Sequence, residues 1–300
     1  MDRLEAMSLL VSVVDAGSLT AAGRKLGVPL PTVSRRISDL EAHLKTRLLT
    51  RSTRRLALTD AGAAYVAVAK RILEEVGEAE RTASGEYAAP RGDLVITAPV
   101  VFGRLHVLPV IAEFLARWPE INVRLVLVDR NLHLIDDHVD VALRIGALAD
   151  SALAATKVGA VRRVVCGSPA YFAAHGIPAR PRDLSALSAV TFDQLSSSDH
   201  WIFRDPKSRR EVRVPVHSRL SVNTAEAAID AAAAGVGVAR VLSYQVAQAV
   251  ADRRIEIVLA EHEPEPAPVS LIHASQGLTL LKVRMLLDFA APRLKARLAR

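Results

Sequence analysis

Residues 19–40, LTAAGRKLGVPLPTVSRRISDL, constrain the fold more than any other stretch. Two short amphipathic segments divided by glycine and two prolines pack as a helix-turn-helix. A first helix, Thr20–Leu26, is closed by Gly27, and Pro29 and Pro31 open a second that runs to about Leu44. Proline suits the first helical position, because its φ is already fixed there and its missing N–H would go unused. Val33, Ile37, Leu40 and Leu44 recur at helical spacing as one apolar stripe. The opposite face carries Pro31, Arg35, Ser38 and Ala42, flanked by Thr32, Ser34 and Asp39. An arginine on such a face can donate two hydrogen bonds to a guanine edge, and a hydroxyl can reach a phosphate or a base. Gly23 and Gly27 allow the close crossing and the turn. The candidate DNA contacts from this segment are Ser18, Thr20, Pro31, Thr32, Ser34, Arg35, Arg36 and Ser38.

Charge favours a nucleic-acid partner over an ordinary solvated helical hairpin. Residues 24–55 hold nine basic side chains against Asp39 and Glu41, a net +7 that equals the charge of the whole chain. The remaining residues therefore sum to zero. A basic balance concentrated on one helix-turn-helix is the footprint of a polyanion site, here double-stranded DNA. Leu48 to Thr59 then sets a basic turn between two apolar pieces, with Leu56 and Leu58 alternating as in a half-buried strand. This predicts a β-hairpin wing whose Arg51, Thr53, Arg54 and Arg55 contact phosphates. Such contacts add affinity and salt dependence but little sequence information.

Several further motifs stand in the same region: Ala16-Gly17-Ser18-Leu19-Thr20-Ala21-Ala22, Leu26-Gly27-Val28, Pro31-Thr32-Val33-Ser34-Arg35, Leu40-Glu41, Arg47-Leu48-Leu49 and Leu58-Thr59-Asp60-Ala61-Gly62. With these the chain resembles the LysR-type transcriptional regulators. The resemblance implies a bacterial cytoplasmic regulator with an N-terminal winged helix, a long dimerising helix and a periplasmic-binding-protein-like effector domain. Leu30 stands where that family usually has a polar residue, often Gln, and Gly23 where Ala is usual.

Three hundred residues suggest two domains and a connector. No run approaches the roughly eighteen apolar residues of a membrane span, and the N-terminus lacks the pattern of a signal peptide. Cys166 is the sole cysteine and sits in the apolar string Val164-Val165-Cys166, which points to a buried small hydrophobe rather than a redox sensor. A cytoplasmic protein without a membrane partner is expected.

From Asp60 to about Tyr87 the chain turns helical and acidic, and Tyr65, Ala69, Ile72, Val76, Ala79 and Ala83 recur every three or four residues. So narrow a stripe suits a two-helix seam, and a dimer reads two half-sites. Packing on the protein's own domain is the competing reading. Ala88-Ala89-Pro90-Arg91-Gly92 then marks a boundary. The expected architecture is multidomain, with three parts. These are an all-α winged helix-turn-helix over 1–59, a linker and dimerisation helix over 60–89, and a two-lobed α/β effector domain of periplasmic-binding-protein type 2 over 90–300. Lobe I spans about 90–160 and 269–300, and lobe II about 161–268. A homodimer, or a tetramer or larger assembly, is expected.

Within the third part, strands at Asp93–Thr97, Asn122–Val128 and Val139–Ile145 alternate with a helix over Phe102–Trp118, bent near Pro109, and a helical turn at His133–Asp137. That alternation predicts a parallel sheet. A second set of strands and helices follows from Arg162 to Ala251, and Val269–Ala274 with a helix from about Thr279 to Leu298 returns to the first lobe. In open α/β sheets ligands sit beyond the carboxyl ends of strands. For a small-molecule effector this selects Ala98, Pro99, Val100, Val101 and Phe102, then Asp129, then Arg144, Ile145 and Gly146. From lobe II it selects Thr191, Phe192, Asn223 and Thr224, with Trp201 as a further lining candidate. Free backbone N–H groups near residues 100–103 could hold a carboxylate. The same first-strand loop and the positions near Asn223 are those the resemblance implies. The competing readings are chain reversal at strand ends, pairing of Arg144 with Asp140, and a core role for Trp201.

Nothing in the chain supplies covalent chemistry, a cofactor loop or a metal site. Gly235-Val236-Gly237 precedes a strand instead of opening a helix, and neither GxSxG nor HExxH occurs. His133 and His138 are poorly spaced for a shared metal. A ligand-responsive transcription factor is the expected function. The alternative is a constitutive or architectural DNA-binding protein whose α/β part only oligomerises.

Overall fold

The computed structural model describes residues 2–51, 56–83, 90–129, 134, 137–148, 153–192, 200–274 and 280–299, with the backbone only at 51, 78 and 81–83. The chain divides into two compact units, Met1–Gly92 and Asp93–Arg300. No single helix among the described residues is long and apolar enough to cross a membrane.

The first unit opens with helix α1 (Arg3–Asp15), capped by the Asp2 carboxylate, which accepts from the Leu4 and Glu5 amides. Its apolar residues run almost without a break from Leu9 to Val14, so neither helical nor strand periodicity stands out, and the sequence reading passed over it. Helix α2 (Leu19–Leu26) and helix α3 (Leu30–Leu44) follow as expected, with Gly27 in the left-handed region at φ 66° closing α2. A Cβ at Gly23 would stand 2.7 Å from the Val28 carbonyl oxygen, so the turn between the helices is as close as its glycines implied. The predicted stripe is the core: Val33, Ile37 and Leu40 are fully buried with Leu10 and Val13 of α1. The wing is an antiparallel pair, β1 (Leu49–Arg51) and β2 (Leu56–Leu58), with Leu49 opposite Leu58.

Helix α4 (Asp60–Ala83) packs its first turns on α1, where Lys70 pairs with Asp15 at 2.8 Å. One member of the expected dimer stripe is corrected here. Ala69 is only 1% exposed within its own chain and so is not free to meet a second helix, whereas Tyr65 is half-buried, one side against the helix-turn-helix core. Ile72 and Val76 are half-buried and Ala79 is exposed, while the side chain of Ala83 lies outside the described residues.

The second unit begins with β3 (Gly92–Ala98). Next come a helical turn α5 (Val100–Phe102), a π-helical turn Gly103–Val107 and helix α6 (Leu108–Arg117). The irregularity expected near Pro109 is thus an interruption by this π-helical turn, just before the proline. Proline cannot donate to the preceding turn and its ring crowds the carbonyl four residues back, which widens the backbone there. Strands β4 (Ile121–Leu127), β5 (Val141–Ile145) and β6 (Leu153–Val161) complete this lobe's outgoing chain.

Lobe II contains β7 (Arg163–Gly167), α7 (Pro169–His175), β8 (Ser188–Phe192), β9 (His200–Arg204), β10 (Glu211–Pro215) and β11 (His217–Val222). It continues with α8 (Ala225–Ala233), β12 (Val238–Leu242), α9 (Ser243–Ala251) and β13 (Glu256–Val258). Strand β14 (Ala267–Ala274) and α10 (Leu281–Leu298) return to lobe I. The two five-stranded sheets run β4-β3-β5-β14-β6 and β11-β8-β12-β7-β13.

The parallel sheet expected for lobe I is corrected to a mixed one. Strands β3 and β5 are parallel, but the returning β14 lies antiparallel to both β5 and β6. Pairing between strands so distant in sequence leaves no local signature. The chain crosses between the sheets at residue 162 and again between 259 and 266.

Candidate nucleic-acid interface and effector site

The helix-turn-helix presents the predicted face outward. Pro31, Arg35, Ser38 and Ala42 are exposed along α3, with Thr32 and Ser34 half-buried beside them. Leu30, the first residue of α3, is 44% exposed and lines a shallow groove with Thr20, Arg24 and Pro29. Two other candidates are engaged locally. Ser18 caps α2, its hydroxyl accepting from the Ala21 amide at 3.0 Å. Arg36 forms an ion pair with Glu5 of α1, which holds α1 to α3. Exposed Arg24, Lys25, Lys45 and Arg47 extend the basic surface. Arg51 enters β1 with its backbone, and Thr53, Arg54 and Arg55 at the wing tip lie outside the described residues.

The wing is fastened by Glu41 and Thr59, residues of the family motifs to which the sequence assigned no role. One Glu41 carboxylate oxygen accepts from the Leu48 and Leu49 amides at 2.8 and 3.0 Å. The Thr59 hydroxyl donates to the Arg47 carbonyl at 2.7 Å and accepts from the Gly62 amide at 2.9 Å. A capping threonine followed by an acidic first turn is a helix-start signal that could have pointed to Thr59.

In the second unit the strand-end residues of lobe I converge, but not as a row of free donors. The Asp129 carboxylate accepts from the Val100 amide at 3.0 Å, and the Gly103 amide donates to the Pro99 carbonyl at 2.7 Å. The anion at this helix start is the protein's own, which corrects the expectation of a vacant carboxylate cradle at Val100. Ala98, Val101 and Phe102 are buried, whereas Pro99 and Val100 are half-buried. At the end of β5, Arg144, Ile145 and Gly146 are half-buried, and Gly146 adopts φ 117°. Burial lowers the Arg144 pKa, with Asp137 acting against it.

In lobe II, β8 and β11 bring Phe192 opposite Val222, so Thr191 and Phe192 neighbour Asn223 and Thr224 at one sheet end. Thr191 is buried and its hydroxyl meets that of Ser218 at 2.6 Å. Asn223 and Thr224 are exposed, and Thr224 caps α8 through the Ala227 amide at 3.2 Å. Trp201 is corrected as a residue of the strand-end cleft: at 2% exposure it lies inside lobe II, clustered with Tyr171, Leu184 and Phe203.

One contact that joins the two lobes was missed. Tyr244, two residues beyond β12, sets its ring 5.2 Å from Phe102 and 5.8 Å from His106, whose own rings are 4.7 Å apart. The Tyr244 hydroxyl and His106 Nε2 are both buried; the hydroxyl has the Gln245 side chain beside it, and His106 Nε2 has no hydrogen-bond partner among the described residues. Burial raises the Tyr244 pKa, helped by the charge of Asp129, and burial together with Arg297 lowers that of His106. Extending the strand-end rule to β12 would have found Tyr244.

Residues 4–63 match the family described as "Bacterial regulatory helix-turn-helix protein, lysR family", and residues 88–295 match "LysR substrate binding domain". The chain belongs to the LysR family. Two LysR-like relatives are similar along nearly their whole length. An HTH-type transcriptional repressor of Pseudomonas aeruginosa is 33% identical over 96% of this chain and 91% of its own. The HTH-type transcriptional activator AaeR of Escherichia coli is 31% identical over 96% and 93%. Among solved structures, CrgA, a LysR-type transcriptional regulator from Neisseria meningitidis, is 30% identical and matches with a TM-score of 0.60 over 97% of this chain and 98% of that one. This LysR-type chain is accordingly a DNA-binding transcriptional regulator carrying a substrate-binding domain, and not an enzyme.

Proposed function

We propose that the protein is a sequence-specific, cytoplasmic transcriptional regulator that works as a homodimer or larger assembly, and that a small molecule bound between its α/β lobes alters its hold on DNA. The observation that carries DNA reading is the exposed Pro31, Arg35 and Ser38 face, set on a helix whose opposite side is fully buried at Val33, Ile37 and Leu40. A helix anchored that way can hold side chains at the fixed depth that base discrimination requires. Exposed Leu30 offers an apolar contact of the kind a thymine methyl accepts. Effector response is supported by two sheets joined through two crossings and by the Phe102–His106–Tyr244 contact between them. A ligand can bias such a pair of lobes only by binding two arrangements unequally. Residues 98–102, Asp129, 144–146, Thr191, Phe192, Asn223 and Thr224 remain the proposed surroundings of that ligand.

One observation favours the constitutive reading. With Asp129 already on the Val100 amide, an effector carboxylate gains nothing there unless it displaces a charged group.

Selection of sites from random duplex DNA at stated near-physiological salt tests the proposal. An inverted repeat is expected. Arg35→Ala should relax base preference at one position per half-site by ~1–3 kcal/mol, whereas Arg54→Ala should weaken all sequences alike. Sequence-blind recovery would leave only the architectural reading, and equal losses on specific and random DNA for both variants would sink the division of labour.

A further inference from the structure

The floor of lobe II carries two arginines that its own described residues leave partly unanswered. In the antiparallel β7–β12 pair Arg163 lies opposite Leu242 and Arg240 opposite Val165. The two arginines therefore sit diagonally on one face of the sheet, at a backbone separation of roughly 7–8 Å. That face also bears Val165 and Val238 and is covered by Trp201 and Phe203 of β9. Arg240 is only 7% exposed, and its guanidinium carbon stands 6.0 Å from both ring centres. Arg240 Nη1 and Arg163 Nε are buried without a hydrogen-bond partner among the described residues.

Buried charges are ordinarily paired. Two of the three acidic side chains on the return segment are engaged elsewhere: Glu263 pairs with Arg162 at 3.0 Å, and Glu265 with Arg204 and Arg209. Burial lowers the pKa of both arginines, and the Arg163 charge helps to bring Arg240 down to about 9, which leaves it protonated at neutral pH. Arg163 begins β7 beside the last residue of β12, the sheet end at which the chain crosses between lobes. A ligand held there is placed to bias how the lobes meet.

We propose that Arg163 and Arg240, beneath Trp201 and Phe203, form a binding site inside lobe II for the carboxylate of a small organic acid with an apolar body. The guanidinium fork matches a carboxylate, and the valine and aromatic surround favours an apolar body over a hydrated inorganic ion. The link to regulation rests on the effector-responsive reading above; the binding site itself does not.

Trp118 and Trp201 are the only tryptophans, so Trp118→Phe makes Trp201 the sole emitter in the full-length chain. Benzoate titrated at constant ionic strength should produce a saturable change in that emission, with chloride inert. Arg240→Gln should weaken the midpoint at least tenfold. In parallel, Arg240→Leu should raise the melting temperature without benzoate and abolish the rise that benzoate gives the parent. The proposal fails if the parent shows no saturable response, if Arg240→Gln responds as the parent does, or if inorganic phosphate acts as well as benzoate. It fails equally if Arg240→Leu lowers the melting temperature, which would mean the guanidinium already has a partner in the chain. Saturable binding that leaves the selected DNA footprint unchanged would uphold the site and defeat only its regulatory role.

Discussion

Cys166 shows how far a residue's surroundings decide its chemistry. It is fully buried, and desolvation pushes its thiol up to about 12, although the Ala239 amide acts the other way. Thiolate is the reactive form, so iodoacetamide at about pH 8 should leave the native protein unmodified and alkylate it fully once unfolded, as read by intact mass. Rapid native alkylation would contradict this burial. At Gly62 two effects oppose each other. Alanine would ordinarily favour the helix by about 0.5–1 kcal/mol, but its Cβ would fall 2.0 Å from the Leu48 carbonyl oxygen. Backbone cannot swing aside, and overpacking costs about 1–3 kcal/mol or more, so the clash wins. Gly62→Ala should lower the urea midpoint of the N-terminal unit. At this scale the sequence was informative where burial follows local pattern, as at Val33, Ile37, Leu40 and Cys166. It was silent where a side chain finds a distant partner, as Arg36 does with Glu5 and Asp129 with the Val100 amide.

Among the elements, the π-helical turn Gly103–Val107 holds His106 against Phe102 and Tyr244. Burial, then Arg297, lowers the His106 pKa from its ordinary 6.5. As pH falls through that ordinary value the unfolded chain takes up the proton first, so folded stability declines until the folded ring titrates too. Urea unfolding followed down from about pH 7.5 should therefore show a loss for the parent that is reduced in His106→Phe. Equal losses in both would mean that the ring does not resist protonation. Helices α2, α3 and α4 and most lobe strands could be read from periodicity and punctuation. Helix α1 escaped because its apolar run masks any period. Strands β6, β9 and β13 escaped because each is defined by the strand it joins: β14, β10 and β7.

For the whole molecule, the remaining stripe of α4 is the seam we expect between protomers. Ala69 is taken by the chain's own core and Tyr65 is partly covered by it, which leaves Ile72, Val76 and Ala79 as the open stretch. A charge placed in an apolar seam must be desolvated without a partner, so Val76→Glu should shift sedimentation toward the monomer and halve the selected DNA site. An unchanged sedimentation coefficient would place the dimer contact elsewhere. The sequence by itself determined the winged helix-turn-helix, its basic face and the succession of an α/β unit, because hydrophobic period, proline and glycine punctuation and charge are local quantities. Only the tertiary structure decided the mixed sheet of lobe I, the capture of the Val100 amide by Asp129, the bridge from Tyr244 to Phe102 and the buried Arg163–Arg240 pair. Each of these depends on segments far apart in the chain being brought within a few ångströms, and no local pattern records which partner closes the distance.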